Sequence, residues 1–321
     1  MRLCAGILSA ADPWAALDGR LGAPSGVSPA FSTVLDAYGA NRPPWQVAGV
    51  DYGVGPAAGT VFKDPAVESA PAGVSFNTGT KVATVTGDDV TLDAWNFEGW
   101  QIQQQGDNFT FTNYKLKVLS EEGNTPIFVT GTNTTIRYGQ IDGNSFTTTL
   151  GPLVDYRGLG TLTFEYNYLH HVHGDHFSIT GDSPSDSAIV VIRFNVLFNN
   201  FGGDGAHPDI IQAGTASYDW TIEFNLVMIV DVATGSQGFV LENSTAIQVN
   251  YNTGVFTGVA LQLSQFVNFD ANGAGANPKQ CTFNYVDLSS AGQFSQNGAG
   301  ASFSDNVDMV DGEVFGEEPV D

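Results

Sequence analysis

Ile136-Arg-Tyr-Gly139, Phe164-Glu-Tyr-Asn167, Ile192-Arg-Phe-Asn195, Ile222-Glu-Phe-Asn225 and Val249-Asn-Tyr-Asn252 share one pattern: an apolar residue, a polar one, an aromatic, then Asn or Gly. Successive copies begin 28, 28, 30 and 27 residues apart. A fixed period of this size marks a repeat architecture, in which each unit buries its apolar face only against its neighbours. Short β-type segments at this spacing fit a coil that makes about three strands and three bends per turn, with turns stacked at the ~4.8 Å strand separation. Stacking brings equivalent residues into vertical files, and the second position then reads Arg137, Glu165, Arg193, Glu223. Opposite charges alternate along that file, as neighbouring strands require. The Asn file, Asn167, Asn195, Asn225 and Asn252 with Gly139 before it, suits bends in the left-handed conformation that Asn and Gly tolerate. Its amides can also bond along the stack. Looser copies near Asn113, Asn284 and Asn306 extend the coil over residues 80–310.

Composition agrees with an all-β class. Apolar residues make up 42% and aromatics 12%, enough for a core, while 38 glycines serve many turns. The periodic segments are rich in Val, Ile, Phe, Tyr and Thr, and no long stretch of Ala, Glu, Lys and Leu occurs. Residues 1–79 lack the repeat and carry Pro, Gly and Ala among Trp14, Trp45 and Tyr52. They read as an N-terminal cap or attachment segment over the open end of a solenoid, with a short helix at Trp14–Leu21 or Phe31–Tyr38. Residues 311–321 form an acidic tail, solvated or partner-facing.

The net charge of −23, from 34 acidic and 11 basic residues, disfavours nucleic acid and anionic membrane as partners. An anionic polysaccharide would need a local basic patch or a bound cation; solubility in a salty medium explains the charge equally well. No apolar stretch approaches the ~20 residues that span a bilayer. Cys4 and Cys281 define no disulfide framework. The run from Met1 to Ala11 has one basic residue and lies near the lower limit of a signal-peptide core, so secretion is not decided by it.

A second strand in each turn is aligned by counting back from the Gly or Asn that closes it, giving Leu153–Gly158, His176–Gly181, Asp209–Gly214 and Gly238–Asn243. Parity turns Val154, Tyr156, Phe177, Ile179, Ile210, Gln212, Phe239 and Leu241 into the coil. It turns out Asp155 and Arg157, then His176, Ser178 and Thr180, then Asp209, Ile211 and Ala213, then Val240 and Glu242. All five histidines, His170, His171, His173, His176 and His207, fall within 38 residues and flank this polar face from the bends before it. In this register His176 stacks on Asp209, a pairing that would raise the histidine pKa and orient its ring.

Two functional readings of the cluster, an acid/base site with its substrate contacts and a metal site, stand beside a third. His176, His207, Asp209 and Arg157 are candidate catalytic groups for proton transfer and charge neutralisation. Asp155, Ser178, Thr180, His171, His173 and Glu242 are candidate substrate contacts. Asp204, Asp209 and His207 are candidate ligands for Ca²⁺ or Zn²⁺. The third reading is a hydrogen-bonded bend with no ligand. Arg157 is the base with most freedom to meet a ligand carboxylate, the alternative being a salt bridge to Asp155 or Glu242. Trp95, Trp100 and Trp220 are either sugar platforms or core.

The coil period, the Asn file and the segment Gly203-Asp-Gly-Ala-His-Pro-Asp-Ile-Ile-Gln212 together resemble the pectate lyase-like superfamily of right-handed, single-stranded parallel β-helices. The resemblance covers residues 80–310. It implies a polysaccharide along the outer strand face, as in the superfamily's lyases, glycoside hydrolases, epimerases and phage tailspikes. The paired Asp and Gly-His-Gly of polygalacturonases and the Trp-Ile-Asp-His of pectate lyases are absent, so no named activity carries over. The resulting expectation is a polysaccharide-binding or polysaccharide-degrading protein, outside the cell, on its surface or on a virion. The alternative is a tailspike-type or decoration appendage, a homotrimer or a virion component, in which the coil is a rod.

Overall fold

The computed structural model describes residues 31–315, apart from 120–124, 145–150, 182, 184–185, 202–207, 215–216, 231–236, 242–243, 258–265, 270–278, 288, 290–293 and 297–300. Among the described residues the chain is almost entirely strand and turn, with one short 3-10 helix at Asp36–Asn41. Trp14–Leu21 lies outside them, and Phe31–Tyr38 is a turn leading into that 3-10 helix.

The strands form three sheets, here called walls. Each wall takes every third strand in chain order, so the chain visits each wall once per turn. The first turn contributes Val82–Val85 to wall one, Thr91–Asp93 to wall two and Asn96–Glu98 to wall three. Nine such turns run from Val82 to Asp308, all paired parallel. This is the strand order of a parallel β-helix.

The register read from the repeat holds. Leu92, Phe111, Ile136, Phe164, Ile192, Ile222, Val249, Cys281 and Phe303 are level with one another along wall two. They point inward and are buried in one continuous core, since inward positions in stacked turns have only each other to meet. Arg137, Glu165, Arg193 and Glu223 form the outward file beside them. Arg193 lies between two carboxylates, its Nε 3.0 Å from Glu165 Oε2 and its Nη1 3.9 Å from Glu223 Oε1.

The Asn file is buried and continuous from Asn167 through Asn195, Asn225, Asn252 and Asn284 to Asn306. From Asn195 on, each Oδ1 accepts the backbone N–H and the side-chain N–H of the Asn one turn earlier, at 2.8–3.2 Å. One expectation is corrected here. The left-handed residue of each bend is not the Asn but the one before it: Tyr138, Tyr166, Phe194, Phe224, Tyr251 and Phe283 have φ of 54–59°. With its backbone turned this way the aromatic ring swings outward, and the six rings stack at 5.0–5.2 Å along the molecule.

That aromatic stack would leave an apolar stripe on the surface, and the described part of the N-terminal segment covers it. Leu35, Trp45, Val47, Val50 and Val54 form a second core with Tyr166, Phe194, Phe224, Met228, Val255 and Met309. Trp45 meets Phe224, Tyr251 and Tyr285 edge-on. Gly55 donates its N–H to Tyr166 O, Tyr38 Oη donates to Asp287, and Asn41 donates to Met309 O. The segment is a strap along the side. At the start of the coil, Phe76 on the antiparallel strand Val74–Asn77 packs against Trp95, Phe97 and Trp100. At the other end the first residues of the acidic tail are ordered, Val314–Phe315 pairing antiparallel with Asn306–Val307. These two antiparallel strands cover edges that would otherwise invite pairing with another chain.

Candidate functional site

On wall one, Asp155 and Ser178 are on the outer side of the strand as expected, and the file continues through Gln212 and Val240, of which Ser178 and Gln212 are partly exposed and Asp155 and Val240 are buried. Arg157 is held against Asp155 by two bonds, Nε–Oδ1 at 3.3 Å and Nη2–Oδ2 at 3.1 Å. Its guanidinium also lies 5.3 Å from the centre of the Phe128 ring, one turn earlier. Of the two partners open to Arg157 in the sequence, Asp155 is therefore one it takes. Thr180 follows on the next turn, its N–H donating to Tyr156 O.

Beyond Ser178 the register slips by one residue relative to the sequence alignment. Phe177 is level with Ile211, not Ile210, and Ile179 with Ala213. Gly214 is level with Thr180, whose side chain occupies the space where a Cβ on Gly214 would sit. Gly181 and Gly214 are therefore not equivalent, and counting back from them shifts one strand by one position. A one-residue slip exchanges the two faces of a strand. Gln212 moves outward and Ile211 and Ala213 move into the core, while Ile210, just before them, stays in the core as expected.

The same slip undoes the stacking of His176 on Asp209. Asp175 is the residue above Asp209, and its Oδ1 accepts the Asp209 N–H at 2.7 Å. His176 is fully buried, and neither of its ring nitrogens has a hydrogen-bond partner among the described residues. Burial lowers its pKa to about 3, the reverse of the rise an Asp partner would cause. Burial also raises Asp175 to about 6, against the lowering effect of the Asp209 N–H. Asp209 itself is buried. His207, Asp204 and Glu242 lie outside the described residues.

His170, His171 and His173 are not in a bend before wall one. They belong to the strand Tyr168–His173 of wall three. Leu169 and Val172 both point into the core although they are three residues apart, so strict alternation is broken between them. The break is at His171, whose φ is +56°, matched one turn on by Asn199 at +44°. With one residue inserted in this way, two consecutive side chains, His170 and His171, emerge on the outer side. Their Nδ1 atoms face each other at 2.7 Å.

Below them, Asp142 is level with His170. Its Oδ1 lies 3.5 Å from His170 Nδ1, and its Oδ2 lies 3.4 Å from Lys117 Nζ. The Gln140 amide meets the other His170 ring nitrogen, Nε2, at 2.9 Å. Tyr168 stacks on the His170 ring at 4.3 Å, and Phe198 meets the His171 ring edge-on. Burial lowers the His170 pKa to about 4, outweighing the opposing pull of Asp142, so the ring is neutral at physiological pH. Gly143 permits the arrangement, because a Cβ there would lie 2.6 Å from His171 O and 2.7 Å from Val172 Cα.

Asp142, Gln140 and Lys117 were missed by sequence reasoning. The signal existed: the 28-residue step that joins Ile136 to Phe164 also joins Asp142 to His170, and wall three carries its own file Glu98, Lys117, Asp142, His170. The three tryptophans resolve as core: Trp95, Trp100 and Trp220 are all buried. No family model, no curated protein and no solved structure matches this chain.

Proposed function

We propose that the chain is a right-handed, single-stranded parallel β-helix of the pectate lyase-like kind that binds a polysaccharide along wall one. The observation that carries this reading is the outward, partly exposed pair Ser178 and Gln212, with Thr180 and the Arg157 that covers the buried Asp155 beside it. Equivalent polar groups one turn apart repeat at the ~4.8 Å strand spacing, a comb suited to the hydroxyls of an extended glycan. Pairing of Arg157 with Asp155 leaves that patch with no net positive charge, and the whole chain carries −23. A neutral or sparsely charged glycan therefore suits the face better than a polyuronate. With His176 buried, His207, two positions before Asp209 in the sequence and outside the described residues, is the remaining histidine candidate for proton transfer.

Titration calorimetry against a panel of neutral and acidic polysaccharides tests the reading. Binding to a neutral glycan is expected, weakened at least about tenfold by Gln212→Ala and by Ser178→Tyr, which fills the file. Appearance of unsaturated or reducing ends, abolished by His207→Ala, would add catalysis. Silence across the panel, or binding indifferent to both wall-one substitutions, sinks the proposal. A second reading, an appendage in which the coil is a rod with glycan binding at most, draws on the Asn ladder running unbroken from Asn167 to Asn306. A stable trimer in sedimentation would favour it.

A further inference from the structure

Wall three carries a group of side chains that the glycan reading does not use. Asp142, His170 and His171 each offer one donor atom, and these atoms all lie within 4.8 Å of one another. His170 and Asp142 come from successive turns, and His171 joins them only because its left-handed backbone puts two adjacent imidazoles on one side.

We propose that Asp142 Oδ1, His170 Nδ1 and His171 Nδ1 form a binding site for a divalent transition metal of the zinc type, tying one turn of the coil to the next. Two ring nitrogens and one carboxylate oxygen are the donors such ions select, whereas Ca²⁺ and Mg²⁺ require oxygen sets. Ligand atoms around a tetrahedral Zn²⁺ at ~2.0–2.1 Å are about 3.3 Å apart. The 3.5 Å between His170 Nδ1 and Asp142 Oδ1 already matches this spacing, and the 2.7 Å between the imidazoles has to open by about half an ångström.

The surroundings fit as well. Gln140 touches His170 Nε2. As placed, the Gln140 Nε2 donates to that nitrogen and the ring proton sits on Nδ1; loading the ion requires the amide to turn over, so that its carbonyl accepts an Nε2 proton and the Nδ1 lone pair is freed. Lys117 holds the far oxygen, Oδ2, so that Oδ1 is the one turned to the histidines. Without an ion, the two facing Nδ1 atoms are satisfied by one proton between them. His171 and Asp142 are partly exposed, so water can complete the coordination.

The test is titration of chelator-treated protein with zinc chloride, read by calorimetry and by the thermal transition. Wild type should take up one zinc saturably, with a midpoint raised by several degrees. Asp142→Asn and His171→Asn should each weaken uptake at least about tenfold, in the range seen when metal-site partners are removed. Both preserve the fold: Asn keeps the carboxylate's shape, and at position 171 it tolerates the positive φ that Asn199 already adopts one turn on. Ser178→Tyr, on wall one, should leave zinc uptake unchanged, and Asp142→Asn should leave glycan binding unchanged, so the two proposals fail separately. No saturable uptake up to about millimolar zinc, or uptake persisting undiminished in both ligand variants, overturns the site. An equal shift with calcium, lost in the same variants, overturns its assignment to a nitrogen-preferring metal.

Discussion

A single bend shows the trade on which this molecule rests. Placing Tyr166 or Phe194 at positive φ costs roughly 1–2 kcal/mol per residue. Ring stacking on both neighbours returns about 0.5–1.5 kcal/mol for each aromatic pair, and the Asn that follows satisfies the buried backbone of the bend. Gly139 is the exception in the Asn file for a steric reason. The Tyr114 ring crosses beneath it, leaving no room for a Cβ, and Tyr114 Oη reaches Asn167 Oδ1 in place of the missing amide. At the same scale, Asp175 makes a pH prediction. Its folded pKa of about 6 lies above the ordinary 3.8, so between these values the unfolded chain loses a proton that the native one keeps. The group's contribution is therefore full below pH 3.8, falls as pH rises through about 6, and stays unfavourable above. Asp175→Asn, which can still accept the Asp209 N–H, should stabilise the protein by about 1–3 kcal/mol at pH 7.5 and by nothing near pH 3.5. Calorimetric midpoints at the two pH values decide it, and equal effects at both would contradict the assignment.

Among the elements, the ladders differ in weight. The Arg137-Glu165-Arg193-Glu223 file is partly exposed and is expected to add no more than about 1 kcal/mol per pair, although it discourages slippage by placing like charges together in any one-turn shift. The Asn ladder is another matter, because every member is buried. Asn225 accepts from the backbone and side chain of Asn195 and donates to Ile192 O and Asn252 Oδ1. Asn225→Ala should orphan several of these groups at ~1–3 kcal/mol each, for a total of roughly 3–5 kcal/mol in urea unfolding. A loss below about 1 kcal/mol would mean that the ladder follows the coil rather than holding it.

For the whole molecule, stacked turns contact only their neighbours, which by itself favours piecemeal unfolding. The strap changes this, since one segment touches Tyr166 near the middle of the coil and Met309 at its end. Trp45 spans three turns through Phe224, Tyr251 and Tyr285. Trp45→Ala, a truncation that typically costs about 3–5 kcal/mol, is expected to release the strap first. Limited proteolysis should then cut within residues 31–60 while the coil survives as a resistant fragment. Cleavage in strap and coil at the same rate would show that the two unfold as one unit.

The repeat was legible because its positions are chemically distinct: an apolar file with no solvent to face, a charged file that must alternate, an aromatic and an Asn at every bend. Each holds its place by contact with its own kind one turn away, so period and register on wall two follow from the residues alone. Wall one lacked such a marker, and glycine served badly as one, because Gly214 is where it is to clear Thr180 and not because it closes the same turn as Gly181. The strap was visible only as a segment outside the repeat. Its course along the aromatic stripe depends on apolar area created when the rings stack. His176 and His171 make the same point in opposite directions, one buried at a corner next to the core residue Phe177 and one turned outward by a left-handed backbone. Sequence determined the coil, its period and the file that holds it in register. Only the tertiary structure decided which polar side chains meet, because a single inserted or shifted residue reverses a strand's face without altering its composition.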